Sequence, residues 1–115
     1  MRHLKKGRKF GRKRDQRKAL MKSLASSFFM LGRIKTTEAK AKELRPYAEK
    51  FITRAKTPNL ANRRIIAGFF APAVVKKIFE VAQDQQARRG GYTRIVKLAP
   101  RKSDGAEMAL IEFVK

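Results

Sequence analysis

The chain contains no cysteine and a single histidine, His3. A disulfide framework and thiolate zinc sites are therefore excluded, and no second imidazole exists for a histidine-based metal cluster. Tryptophan is absent, and eight of the ten aromatic residues are phenylalanine. Acids are scarce: Asp15, Glu38, Glu43, Glu49, Glu80, Asp84, Asp104, Glu107 and Glu112 are the full set. Glu80 and Asp84 share a helix face at a four-residue spacing, but metal-dependent phosphoryl transfer generally needs a larger carboxylate cluster. His3 lacks a positioned partner in sequence, as a general base would require. No catalytic residue, cofactor, metal or small-molecule substrate is expected, and the chain reads as a non-enzyme. No run approaches the ~18 apolar residues that would span a bilayer, and the N-terminus lacks the apolar core of a secretory signal. A soluble, cytoplasmic protein with no membrane partner is the expectation. The Walker pattern, a zinc-finger spacing, an RNP-type aromatic pair and a basic region running into a heptad zipper are all missing.

What the chain has instead is positive charge. Thirty of its 115 residues are Lys or Arg, and the net charge is +21. Such an excess would destabilise a lone compact protein through self-repulsion, so a densely anionic partner is implied, and nucleic acid fits best. The charge is steepest at the front: ten of residues 1–18 are Lys or Arg. That stretch has too little apolar surface to offset the entropy of ordering it, and residues 1–14 are expected to be a basic arm, disordered when free. Gly7 and Gly11 would let its backbone bend close to a sugar-phosphate surface. The bland alternative, a solvated tail, fits less well because the body of the chain is basic too.

Residues 15–115 read as a single α+β domain. Asp15 is a candidate N-cap, and Leu20, Leu24, Phe28 and Leu31 form a helical stripe that stops at Gly32. Arg33 to Thr37 is short and β-prone. Thr36 or Thr37 can cap a second helix whose stripe is Ala41, Leu44, Ala48, Phe51, Ile52 and Ala55; Pro46 can kink or split it, and one kinked helix is expected. Leu60 to Phe70 reads as a third helix. Pro72 suits the first turn of a fourth, with Val75, Ile78, Phe79 and Ala82 facing a core and an end at Gly90-Gly91. Tyr92 to Ala99 and Glu107 to Val114 are β-rich, joined through Ser103-Asp104-Gly105 with hairpin chemistry. Val96 and Leu98 are out of phase with Ile95, which leaves the register open. Arg101 and Lys102 are expected to project from the loop. The predicted architecture is a two-layer helix–strand–three helices–two strands domain with a small three-stranded mixed sheet and a basic N-terminal arm.

Several segments resemble a known family. Met1-Arg2-His3, Gly7-Arg8-Lys9, Ile34-Lys35-Thr36-Thr37, residues 39–45 (Ala-Lys-Ala-Lys-Glu-Leu-Arg), residues 90–95 (Gly-Gly-Tyr-Thr-Arg-Ile) and residues 109–112 (Ala-Leu-Ile-Glu) are similar to the ribosomal protein seventeen family of the bacterial large subunit. These blocks stand in family order along the whole chain. The resemblance implies a structural constituent of the large ribosomal subunit that binds large-subunit rRNA near the peptide exit tunnel, alongside neighbouring ribosomal proteins. Two segments depart from the family pattern. Phe10 to Arg17 lacks the usual Asn-Arg and Ser/His residues, so their hydrogen bonds are not carried over, and Pro58 to Pro72 matches only loosely.

The expected RNA-binding residues are these. In the arm they are Arg2, His3, Lys5, Lys6, Arg8, Lys9, Arg12, Lys13 and Arg14, continuing to Arg17, Lys18 and Lys22 in the first helix. In the body they are Arg33, Lys35 and Thr36, then Lys40, Lys42 and Arg45, then Arg63 and Arg64, and finally Tyr92 and Arg94 at the hairpin start. Tyr92 is a candidate to stack on a base. A nucleoid-type basic DNA-binding protein is the alternative reading.

Overall fold

The computed structural model describes residues 13–114, so the arm positions Arg2, His3, Lys5, Lys6, Arg8, Lys9 and Arg12 lie outside the described residues. Helix α1 (Arg14–Leu31) leads into strand β1 (Arg33–Thr37), then helices α2 (Glu38–Ala55), α3 (Leu60–Ala67) and α4 (Pro72–Asp84), then strands β2 (Thr93–Leu98) and β3 (Met108–Phe113).

Local chemistry sets most of these boundaries. Lys13, not Asp15, is the N-cap of α1, and Asp15 lies in the first turn, where its charge complements the helix dipole. The helix ends where Gly32 turns left-handed at φ 82° and donates its N–H to the Phe28 carbonyl at 2.8 Å. The core-facing stripe is rotated from the expected one. Ala25, Phe28 and Phe29 are buried with Met21 and Leu24 packed beside them, while Leu31 is 71% exposed. Thr37 caps α2 by accepting the Lys40 N–H, and Asn59 caps α3 by accepting the Asn62 N–H.

Pro46 does not split α2, which runs unbroken over 18 residues. The missing hydrogen bond to the Lys42 carbonyl costs on the order of 3 kcal/mol. Burial of Leu44, Phe51 and Ile52 with three alanines along the same helix offsets it.

Helix α4 stops at Asp84, five residues short of the expected Arg89. Tertiary hydrogen bonds capture the following segment. The buried Gln85 side chain donates to the Val114 carbonyl at 2.5 Å, and the Lys56 ammonium donates to the Arg88 carbonyl. Helix α3 likewise ends early, at Ala67, with Gly68 donating back to the Arg64 and Ile65 carbonyls.

The sheet is antiparallel throughout, not mixed, with order β1-β3-β2. The three-helix connection carries the chain past β3 to its far edge, so β1 and β2 each pair with β3 and never with each other. The register resolves the phase problem in β2. Ile34, Ile111 and Ile95 are aligned on the face packed against the helices, whereas Val96 lies beside Leu110 and Leu98 beside Met108 on the opposite face. Phe28 stacks on Phe113 with centroids 4.2 Å apart, and Phe70 packs edge-on against both Phe29 and Phe51.

Candidate nucleic-acid interface

The structure sorts the cations into those held by an acid and those left to solvent. Among the described residues, Arg94 donates Nε to Glu112 at 2.6 Å, Lys42 sits 2.9 Å from Glu38, and Arg45 lies 3.9 Å from Glu49. Arg14, Lys18, Arg33, Lys35, Lys40 and Arg64 form no ion pair with any described residue. The first group is fixed in place, and the second is available to outside phosphates.

Three of the predicted positions meet on the open face of the sheet. Arg33, Glu112 and Arg94 form one cross-strand row, and Lys35, Leu110 and Val96 form the next. Residues paired across antiparallel strands share a face, so Arg33, Lys35 and Arg94 project together, away from the helices. All three are exposed. Thr36 falls between Arg33 and the α2 cap on the opposite, helix-packed face and is only part-exposed.

A second group lies on α1. Arg14, Lys18 and Lys22 recur every four residues, on one side of the helix, and all are exposed. Lys22 Nζ sits 5.8 Å from the Phe69 ring centroid. Arg14 lies in the first turn, where the positive end of the helix dipole disfavours a cation, while Lys18 and Lys22 extend the same positive stripe beyond it. Arg63 and Arg64 on α3 differ from each other: the Arg63 guanidinium lies 4.5 Å from the Phe79 ring centroid, and Arg64 is free of such contacts.

Tyr92 is not available to a base. Its ring is 1% exposed and belongs to the core, and its hydroxyl accepts from Thr53 Oγ1 and Lys56 Nζ, each at 3.3 Å. The glycines before it deliver the chain to the sheet edge with the ring turned inward, Gly91 at φ 62°. The next residue anchors that entry: the Thr93 N–H and Oγ1 both donate to Glu49 Oε2, at 3.1 and 3.0 Å. Tyr92 therefore supports the interface from beneath.

The hairpin loop is braced by its own charges. Arg101 grips Asp104 with Nε to Oδ1 at 2.9 Å and Nη2 to Oδ2 at 2.7 Å, and Asp104 also accepts the Ala106 N–H. The Arg101 guanidinium, followed by the Ala106 N–H, lowers the Asp104 carboxyl to about 2. Arg101 is thus committed to the loop, and Lys102 at the tip carries no such partner. Glu38 is held below the usual carboxylate range, chiefly by the hydrogen bond from Lys42, with Lys97 contributing at 3.7 Å.

Lys97 and Phe69 were not singled out by sequence reasoning. Lys97 is 78% exposed on the sheet edge, and its signal was a lone cation between two apolar residues of a strand. Phe69 was absorbed into an expected helix that ends before it.

The chain is thus a small basic α+β domain with a helical layer behind a three-stranded sheet and exposed cations on the open sheet face and on α1. The sequence profile described as Ribosomal protein L17 matches residues 20–114. The chain is 50% identical over 109 residues to the Large ribosomal subunit protein bL17 of Thermoanaerobacter sp. (strain X514), covering 93% of this chain and 97% of that protein. It is also 50% identical to the protein of the same name from Clostridium botulinum (strain Loch Maree / Type A3), covering 96% of it. The chain belongs to the ribosomal protein L17 family, whose members are structural rather than enzymatic.

Proposed function

We propose that this protein is a structural constituent of the bacterial large ribosomal subunit that binds large-subunit rRNA through its basic arm, α1 and the open sheet face, near the peptide exit tunnel and beside other ribosomal proteins. The observation that carries the reading is the division of cations just described, within a chain of net charge +21 that belongs to this family. Free cations supply affinity by releasing counterions from phosphates, and the clamped ones fix the shape that aims them. The cytoplasmic ribosome is the corresponding location. No catalytic step is required.

Sucrose-gradient fractionation of cells tests the assignment. The protein is expected in the large-subunit peak, and its absence there, with comparable binding to duplex DNA, would replace this reading with a nucleoid role. The arm spans roughly six to eight phosphate contacts, which corresponds to a salt slope of about −5 for an RNA of little secondary structure. A slope nearer −1 would remove the arm from its leading part.

A further inference from the structure

We infer that Phe69 is a stacking platform for an unpaired RNA base, with Lys22 placed to hold the phosphate beside it. The inference rests on the RNA-binding reading above and assigns it a second, chemically different contact.

Phe69 is 42% exposed, an unusual position for a phenylalanine that also packs against core aromatics. Phe51 meets it edge-on, with centroids 5.3 Å apart and planes at 62°, and Phe70 packs at 6.4 Å. Its backbone is fixed as well, since the Phe69 N–H donates to the Ile66 carbonyl at 3.0 Å. The platform is therefore rigid before any ligand arrives, and a base would stack on it without ordering a loose side chain.

Its surroundings select the ligand. Lys22 Nζ lies 5.8 Å from the ring centroid and is the last member of the α1 stripe Arg14, Lys18, Lys22. A sugar-phosphate backbone following that stripe would bring a base to Phe69. An exposed aromatic face next to a track of cations is the arrangement by which single-stranded nucleic acid is held, because every base has a π face to offer. Duplex RNA keeps its bases stacked inside and has none to spare. The chemistry looked for at Tyr92 is thus offered at Phe69, and the Lys22 ammonium beside the ring makes RNA the better-matched occupant than an apolar protein segment.

The absence of tryptophan makes the test direct. In the full-length chain, Phe69→Trp installs a lone indole at the platform, and Phe69→Leu removes the aromatic face while keeping apolar bulk. The probes are a purine-rich single-stranded 12-mer RNA and a blunt RNA duplex of the same length. The indole emission is expected to be quenched by the single strand and not by the duplex. Phe69→Leu is expected to weaken single-strand binding about tenfold and duplex binding by less than about twofold, with a thermal midpoint lowered by only a few degrees, so that the fold is retained. Single-strand binding without quenching would overturn the inference. So would a Phe69→Leu variant that binds both probes as the parent does, including one that is then lost from the large-subunit peak, which would make the patch a protein contact. If the parent chain binds neither probe at moderate salt, it is the RNA reading itself that fails.

Discussion

Helices α1 and α4 pack against each other, yet their outer surfaces have opposite electrostatic design. The first half of α1 sets Arg14, Lys18 and Lys22 along one stripe, with Asp15 the single acid of that half. Helix α4 carries Lys76 and Lys77 against Glu80 and Asp84, and Lys77 lies 3.8 Å from Glu80. One surface is balanced, as a helix that only needs to stay folded would be. The other runs a stripe of cations from the turn where the dipole disfavours them, a placement that makes sense when phosphates complete it. The same contrast recurs between Lys18, which has no acid partner among the described residues, and Arg94 or Arg101, each held by one. Held cations shape the surface, and on the proposed function the free ones are those left for phosphates.

The largest effect expected is on the scaffold shared by both surfaces. Tyr92→Ala should lower stability by about 3–5 kcal/mol, the usual loss for a large buried ring, as measured by denaturant unfolding. Tyr92→Phe should lose only about 1 kcal/mol, the worth of the hydroxyl's hydrogen bonds. It should also leave RNA affinity unchanged. A Tyr92→Phe protein that folds normally and binds RNA poorly would put Tyr92 back in the interface and erase the distinction drawn here.

Replacing Arg14, Lys18 and Lys22 together by Gln should reduce the magnitude of the salt slope by about 2 to 3, at 0.7–0.9 per phosphate lost. Stability should stay level or rise slightly, because the Arg14 charge is removed from a helix N-terminus. The matching change on α4, Lys76 and Lys77 to Gln, should leave the slope within about 0.5 of the parent, since α4 contributes few phosphate contacts on this account. Equal effects from the two helices would break the comparison.

Much of this was legible in the sequence where the signal is local. Gly32 marked the end of α1, the Thr36-Thr37 pair the start of α2 (the structure uses Thr37), Pro72 the start of α4 and Asp104-Gly105 the hairpin turn, because each acts through its own backbone or its immediate neighbours. The N-cap of α1 and the end of α3 were misread locally, but the larger misread features depend on distant partners. The early end of α4 needs Lys56 and Val114, the burial of Tyr92 needs Thr53 and Lys56, and the antiparallel sheet needs to know which edge of β3 receives β2. The sorting of cations is of the same kind: Arg94 and Lys35 look alike in sequence, and only the register places Glu112 beside the former.

Smaller effects sharpen the role of the clamps. Glu112→Gln releases Arg94 and should change stability by no more than about 1 kcal/mol, as for exposed pairs generally. The freed guanidinium should slightly strengthen RNA binding at low salt. Smallest is the pH effect. Asp104 and Glu38 both titrate below their ordinary values in the folded chain, so the stability they add is present at neutral pH and declines as protons return. For Asp104 the loss falls between its ordinary 3.8 and about 2. Asp104→Asn should flatten the acid limb of a stability profile over that interval and lower the neutral plateau slightly, because the charged clamp on Arg101 is lost there.

The central claim is that the start of α1 faces rRNA and α4 does not. Because the chain has no cysteine, one can be introduced at a chosen position to carry a tethered iron chelate that cleaves nearby RNA. Lys18→Cys and Glu80→Cys proteins, assembled into large subunits, would each report their distance from the rRNA. The account predicts strong, localised cuts from position 18 and weak or no cuts from position 80. Equal cleavage from both, or stronger cleavage from position 80, would contradict it.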